Sequence, residues 1–135
     1  MSPQKLREIL FHLIYSFEFA SNQRKDSRVF LMQHHKTSKK NICIAERLFH
    51  SVQEYFSQID QMIAQKAIGY KLSSIPRVER TALRLGIYEL CFSKEGIPPK
   101  VAISEAIRLV RKFATAESGK FVNGILDVIY KDMFP

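Results

Sequence analysis

Apolar residues recur along this chain at the spacing of amphipathic helices. In the first segment, from Pro3 to Ala20, they fall three and four residues apart, which places them on one side of a helix. Ser2 is suited to cap this helix, and Pro3 to occupy its first turn. The pattern therefore predicts a helix over Pro3 to Ala20, with an apolar side made of Leu6, Leu10, Leu13, Phe17 and Ala20.

Two more helices are predicted before residue 70. Val29–His35 predicts a short helix, which lies between the polar stretches 21–28 and 34–41. Asn41 is a candidate N-terminal cap for a longer helix that runs from about Ile42 to Lys66. The apolar side of that longer helix carries Ala45, Leu48, Phe49, Val52, Phe56, Ile59 and Ile63.

After Gly69 the pattern becomes that of a buried helix. Residues from Ile75 to Phe92 are apolar nearly all round, which predicts a central helix packed against several neighbours. One narrow stripe on it stays polar, and arginine there must face solvent, pair with an acid or meet a partner. The stripe consists of Arg77, Arg80, Thr81, Arg84 and Tyr88.

The last part of the chain predicts a loop and two helices. Paired prolines predict a loop over 94–99, because they remove backbone donors and restrict the preceding residue. Helices are then expected over Val101–Phe113 and from about Glu117 to Lys131, with Thr115 as a cap for the second. The sequence Asn123-Gly124 indicates a turn within that last helix.

Glycines and prolines number only five each and separate helices rather than hairpins, so we expect an all-α fold. A chain of 135 residues has room for one domain, or for two small helical sub-bundles that share a core. The formal net charge is +8, which favours a polyanionic partner, and nucleic acid before membrane. Six basic residues lie within 22–41, where a solvated loop is the favoured interpretation: Arg24, Lys25, Arg28, Lys36, Lys39 and Lys40.

The sequence offers no catalytic or metal site and no cofactor motif. Cys43 and Cys91 form no CxxC pair, which argues against a disulfide scaffold and a cysteine metal site and favours a reducing, cytoplasmic compartment. His34 and His35 point about 100° apart on a helix, so we expect a solvated basic turn rather than converging ligands. Ser118-Gly119-Lys120 lacks the flanking residues of a phosphate-binding loop. No apolar run is long enough to span a membrane.

Basic and aromatic residues alternate near the end of the chain. Lys112 precedes Phe113, and Lys120 precedes Phe121. Sites for single-stranded RNA use this mixture, since cations contact phosphates while rings stack on unpaired bases. Spacing alone nevertheless favours packing of both phenylalanines in the core.

Several ordered blocks of the sequence resemble the NusB family of bacterial transcription antitermination factors. They are IPRVERTALRLGIYEL at 75–90, IPPKVAISEA at 97–106, Lys112-Phe113, and SGKFVNGIL at 118–126. Arg7-Glu8 and Leu13-Ile14-Tyr15 resemble the first helix of that family. The resemblance is close over 75–129 and the N-terminal helix, whereas 21–71 matches only in its helical pattern.

This resemblance implies an all-α fold of two small packed helical bundles with about six to seven helices. The N-terminal bundle is expected over about 1–71, and the C-terminal bundle over about 72–135. It also implies that Asn123-Gly124 lies in a helix. Family members bind single-stranded boxA RNA together with NusE, a small-subunit ribosomal protein. They thereby help the antitermination complex of RNA polymerase to read through terminators in ribosomal RNA operons, and they catalyse no reaction.

The resemblance also assigns roles to individual residues. Lys5 and Arg7 are expected to contact phosphates, and the central helix around Glu79 and Arg80 to contact NusE. The other expected RNA-binding residues are Tyr15, Phe113, Glu117, Lys120 and Phe121. The arginine-rich N-terminal arm of the family is reduced here to Pro3, Gln4, Lys5 and Arg7, so a weaker affinity for RNA is expected.

Two other functions stay open from the sequence. One is a protein-interaction module of the transcription machinery with little RNA binding of its own. The other is a detached domain of an enzyme such as an RNA methyltransferase, which would need a glycine-rich cofactor loop after a strand. Neither that loop nor that strand is found in the sequence.

Overall fold

The computed structural model describes residues 1–19 and 27–135. Over these ranges the chain forms seven α-helices and no strand, which confirms the all-α prediction. A 3-10 turn (Leu72–Ser74) precedes the fifth helix, and a π-helical turn (Tyr88–Phe92) extends it. The helices are α1 (Pro3–Phe17), α2 (Arg28–His35), α3 (Lys39–Gln53), α4 (Phe56–Lys66), α5 (Arg77–Ile87), α6 (Pro99–Phe113) and α7 (Ala116–Met133).

The chain divides into two compact units, Met1–Glu54 and Tyr55–Pro135. The first unit holds α1 to α3, with α3 packed on both α1 and α2. The second unit holds α4 to α7. The boundary expected near residue 71 falls after α4, whereas in the structure α4 packs on α5 and α7 and so belongs to the second unit.

The first helix begins as predicted. The Ser2 side chain accepts a hydrogen bond from the Lys5 backbone N–H at 3.1 Å, and a proline occupies the first turn. The helix ends at Phe17, earlier than predicted. Ala20 and the polar residues 21–26 lie outside the described residues. A core of the first unit joins α1, α2 and α3 through Ile9, Leu13, Leu31, Ile42 and Ala45.

Two predictions about the following segment are wrong. The cap of α3 is Ser38, whose hydroxyl accepts from the Asn41 N–H at 3.2 Å, so Asn41 lies in the first turn. The single helix predicted over 42–66 is also two helices, separated at Glu54 and Tyr55. Glu54 keeps a helical backbone conformation, so the break is short and leaves the apolar spacing undisturbed. Periodicity alone therefore did not reveal it.

The central helix of the second unit is α5, which contacts α4, α6 and α7. Every residue from Thr81 to Leu90 is buried, as the apolar pattern predicted. At Gly86, side chains of α6 and α7 lie close to the backbone of α5. A Cβ at this position would lie 3.0 Å from the Leu126 side chain and 3.1 Å from the Ala106 Cβ. A larger residue at position 86 would therefore push α6 and α7 away from α5.

Much of the polar stripe on α5 faces inward, where Arg84 pairs with an acid, one of the three alternatives given for these arginines. Arg84 is only 6% exposed, and its guanidinium donates to both carboxylate oxygens of Asp60 at 2.9 and 3.0 Å. The same guanidinium lies over the Phe56 ring, 5.1 Å from its centroid. Thr81 and Tyr88 are also buried, and the Thr81 hydroxyl donates to the Arg77 carbonyl oxygen within α5 at 2.8 Å. The polarity of Arg84 thus serves internal pairing between α5 and α4.

The last two helices follow the sequence prediction closely. The loop before α6 ends at Pro98, and Thr115 caps α7 by accepting from the Ser118 N–H at 3.2 Å. The turn predicted from Asn123-Gly124 is wrong, because both residues lie inside α7, as the family resemblance implied. Among the described helices, none has the length and apolar character needed to cross a membrane.

Candidate functional site

The residues expected to bind RNA fall in two groups, one on each unit. The first group lies on α1 and consists of Lys5, Arg7 and Tyr15, all of them half-buried. At about 100° per residue, Lys5 and Arg7 lie about 160° apart around α1, and Tyr15 lies about 80° from each of them. Helix α1 therefore places Tyr15 between two cations that lie on nearly opposite sides of the helix.

The second group forms what we call the α6–α7 corner, made of Phe113, Glu117, Lys120 and Phe121. Phe113 is the last residue of α6, and the other three lie in the first two turns of α7. Because Glu117 precedes Lys120 by three residues and Phe121 by four, all three share one side of the helix. The corner thus gathers two rings, a cation and an acid.

The charged groups of the corner and the Phe113 ring are open to solvent, whereas Phe121 is half-buried. Phe113 is 45% exposed, so the core position favoured by spacing alone is wrong for this ring. The ammonium of Lys112 lies 5.7 Å from the centroid of the Phe113 ring. Lys120 and Glu117 form an ion pair at 3.4 Å with both side chains largely exposed. Such a pair contributes little to stability, so Lys120 can turn to a phosphate at small cost.

Sequence reasoning missed two residues that belong to the corner. The Tyr70 ring meets the half-buried Phe121 edge to face, with centroids 5.3 Å apart, and Tyr70 itself is exposed. The Arg111 side chain crosses over Gly119, where a Cβ would lie 2.9 Å from its Nε atom. Tyr70 is distant from Phe121 in the chain, so no local pattern joins them. Arg111 follows the helical spacing of α6, but only the absence of a side chain at Gly119 lets it lie there.

The expected partner surface on α5 is only partly open. Glu79 and Arg80 are both half-buried in the first turn region of α5. Arg80 donates from Nη1 to the carbonyl oxygens of Leu72 and Ile75, at 3.0 and 2.9 Å. The Arg80 guanidinium therefore holds the backbone of the 3-10 turn, which leaves Glu79 as the simpler probe of a partner contact.

The other charge and motif predictions have mixed outcomes. Arg24 and Lys25 lie outside the described residues, and Arg28 pairs with Glu46 at 2.9 Å. Lys36, Lys39 and Lys40 are exposed, in agreement with the solvated interpretation. Ser118-Gly119-Lys120 lies within α7 and so forms no phosphate-binding loop.

The predictions for Cys43 and Cys91 and those for His34 and His35 have different outcomes. Cys43 and Cys91 are free thiols. The solvated turn predicted for His34 and His35 is wrong for His35, which is buried at the end of α2. Its Nε2 lies 3.3 Å from Nδ1 of His12. The two helices α1 and α2 therefore bring together histidines that the sequence pattern kept apart.

Comparison with known proteins gives one consistent result. The model of the NusB family matches residues 4–131. The transcription antitermination protein NusB of Clostridium perfringens is 33% identical over 135 residues, which covers 98% of this chain and 99% of that protein. A solved structure of T. maritima NusB superposes with a TM-score of 0.76 at 35% identity, covering 96% of this chain and 92% of that one. A structure described as antitermination factors NusB and NusE in complex with dsRNA superposes with a TM-score of 0.75 at 29% identity, covering 96% of each chain.

Proposed function

The chain belongs to the NusB family of transcription antitermination proteins, and we propose that it binds single-stranded, boxA-like RNA together with the ribosomal protein NusE. The family is one of RNA-binding factors without enzymatic activity. The mechanism is therefore non-covalent recognition, carried out within the antitermination complex of RNA polymerase on ribosomal RNA operons in the cytoplasm.

The observation that carries this proposal is the open basic and aromatic surface of the α6–α7 corner. Exposed rings offer stacking faces to bases that are not already stacked in a duplex. Lys120 supplies a cation for phosphate, and Glu117 an acceptor for the amino group of a base. These roles suit a single strand whose bases are splayed out.

Helix α1 supports the proposal from the first unit. Tyr15 lies between Lys5 and Arg7 around the helix, about 80° from each, so a ring and two cations are available together. Both cations have long flexible stems that let their charged ends reach toward the side of Tyr15. We assign phosphate contacts to Lys5 and Arg7, and an RNA contact to Tyr15.

The comparisons support both classes of partner. One structural relative has been solved with NusE and with double-stranded RNA. That relative shows RNA as a duplex, whereas the exposed rings of this chain favour unpaired bases. A duplex therefore has to be one arm of the test.

The test measures the affinity of the full chain for three RNAs, each with and without purified NusE. They are a boxA-like strand, a scrambled strand of the same composition, and the boxA-like strand annealed to its complement. We expect the boxA-like strand to bind most tightly, and more tightly still when NusE is present. Equal binding of all three RNAs would refute the proposed specificity. Negligible RNA binding with retained NusE binding would instead support a protein-interaction module.

NusE contact is assigned to the α5 surface around Glu79 and Arg80. We expect Glu79→Lys to weaken binding to NusE, because reversing a charge at an interface creates repulsion where there was attraction. Glu95→Lys is the matched control, since Glu95 is an exposed acid in the loop before α6. Calorimetric titration of each variant with NusE measures the difference, and equal affinities of the two variants would remove Glu79 from the interface.

A further inference from the structure

Three of the four histidines of the chain meet between α1 and α2. His12 comes from α1, and His34 and His35 come from the last turn of α2. Each offers one ring nitrogen, and the three nitrogens all lie within 4.8 Å of one another. Adjacent residues on one helix point in different directions, so it is the third ring, from the other helix, that closes the cluster.

The spacing of these nitrogens is close to that of metal ligands. With Zn–N bonds of about 2.0–2.1 Å, two nitrogens at corners of a tetrahedron lie about 3.3 Å apart. His35 Nε2 and His12 Nδ1 are 3.3 Å apart. The ring nitrogen of His34 lies within 4.8 Å of the other two, and His34 is exposed, so its ring has room to rotate toward them.

The surroundings hold the rings in place. The Phe30 ring stacks on His34 with centroids 5.5 Å apart and meets His12 edge to face at 5.7 Å. The buried His35 completes the group, and a neutral imidazole nitrogen can donate its lone pair to a metal.

We propose that His12, His34 and His35 bind one divalent transition-metal ion of the Zn²⁺ type, with water in the fourth position. Imidazole nitrogen is a ligand common to Zn²⁺, Co²⁺, Ni²⁺ and Cu²⁺. The bound ion joins α1 to α2 through ligands as much as 23 residues apart in the chain. Because a metal that binds only the folded state stabilises it, occupancy raises the melting temperature of the protein.

The test uses the full-length chain without a histidine tag, first freed of metal by a chelator. Titration with Co²⁺ is followed by visible absorption, which reports tetrahedral coordination, and titration with Zn²⁺ by calorimetry gives stoichiometry and affinity. We expect one ion per chain. We also expect no near-ultraviolet thiolate-to-cobalt band, since such a band would place Cys43 or Cys91 in the site and overturn the three-histidine assignment.

Variants identify the ligands. His34→Ala is the first choice because an exposed side chain is replaced, and His12→Gln is the second because it keeps a polar side chain. Each variant should weaken Zn²⁺ binding by at least about 10–100-fold, which is the usual cost of changing a residue around a metal ligand. Each should also abolish the rise in melting temperature on adding Zn²⁺.

The fourth histidine provides the matched control. His50 lies on α3 and is exposed, with Nδ1 3.1 Å from the Gln53 side chain, and it is not part of the cluster. His50→Ala should bind Zn²⁺ as the unchanged protein does. Equal Zn²⁺ affinity in His34→Ala, His12→Gln and His50→Ala, or no binding to the unchanged protein, would overturn the proposal. None of these measurements involves RNA, so their failure is separate from failure of the proposed function.

Discussion

Phe121 combines a packing contact with partial exposure, since its ring meets Tyr70 and is still only half-buried. If the ring stacks on a base, Phe121→Ala should weaken binding of the boxA-like strand by about 1–3 kcal/mol. The loss should appear with folding intact, as measured by circular dichroism beside the RNA titration.

Phe134→Ala is the control for this change. Phe134 is also an exposed ring in the second unit, but it follows the other end of α7, about 20 Å along the helix. We expect it to leave RNA affinity unchanged. A folded Phe121→Ala protein that binds RNA as Phe134→Ala does would assign Phe121 to packing alone.

Asp60 and Arg84 form a buried ion pair, with the Arg84 side chain 8% exposed and that of Asp60 26% exposed. Asp60→Asn keeps the shape of the side chain but removes the negative charge that pairs with the buried guanidinium. We expect a loss of about 3 kcal/mol in the free energy of unfolding, at the low end for a buried pair because Asp60 is partly hydrated. Urea denaturation measures it.

The exposed pair of Asp127 and Lys131 provides the comparison, with side chains 48% and 73% exposed. Asp127→Asn should change stability by no more than about 1 kcal/mol. Similar losses in both variants would mean that the Asp60 and Arg84 pair is hydrated in solution and is not the internal contact described above.

At the scale of helices, the N-terminal cap of α7 controls the residues of the corner that follow it. Thr115→Ala removes the acceptor for the Ser118 N–H and should cost about 1 kcal/mol of stability. Fraying of this first turn also disorders Glu117, Lys120 and Phe121, so RNA affinity should fall as well. Urea denaturation and RNA titration of the same variant test both effects.

Ser38→Ala removes an equivalent N-terminal cap from another helix, because Ser38 caps α3 in the same way. We expect a similar cost in stability and no change in RNA affinity. If the two variants lose RNA binding equally, general destabilisation and not the first turn of α7 explains the effect of Thr115→Ala.

The helices also show where sequence reasoning succeeds and where it stops. The cap of α1 was predicted correctly because it depends on residues a few positions apart. Of the predicted apolar side of α1, Leu10 and Leu13 are buried, whereas Phe17 is exposed. The break was missed because it spans only Glu54, which keeps a helical backbone, and Tyr55, which departs from it, so the apolar period stays intact. The Tyr55 ring stacks on Phe92, 4.6 Å away, which is a long-range contact. The contacts of Tyr70 with Phe121, and of Arg84 with Asp60, are long-range in the same sense.

For the whole molecule, the net charge of +8 points to a polyanion but does not say which cations bind it. Many of the basic residues of 22–41 have no assigned role in RNA binding, and Arg28 is already paired with Glu46. The assigned cations are Lys5, Arg7 and Lys120. Affinity for a single strand should therefore fall with salt with a slope of about −2 on logarithmic axes, from about 0.7 per neutralised phosphate.

Variants that remove positive charge distinguish the assigned cations from the other basic residues of the chain. Lys5→Gln should make the slope shallower by about 0.7, because one phosphate contact and its released counterion are lost. Lys39→Gln combined with Lys40→Gln removes two exposed charges and should leave the slope unchanged. RNA titrations over a salt series measure all three proteins. If the double variant lowers the slope while Lys5→Gln does not, the basic residues in the first turn of α3 bind the phosphates in place of Lys5.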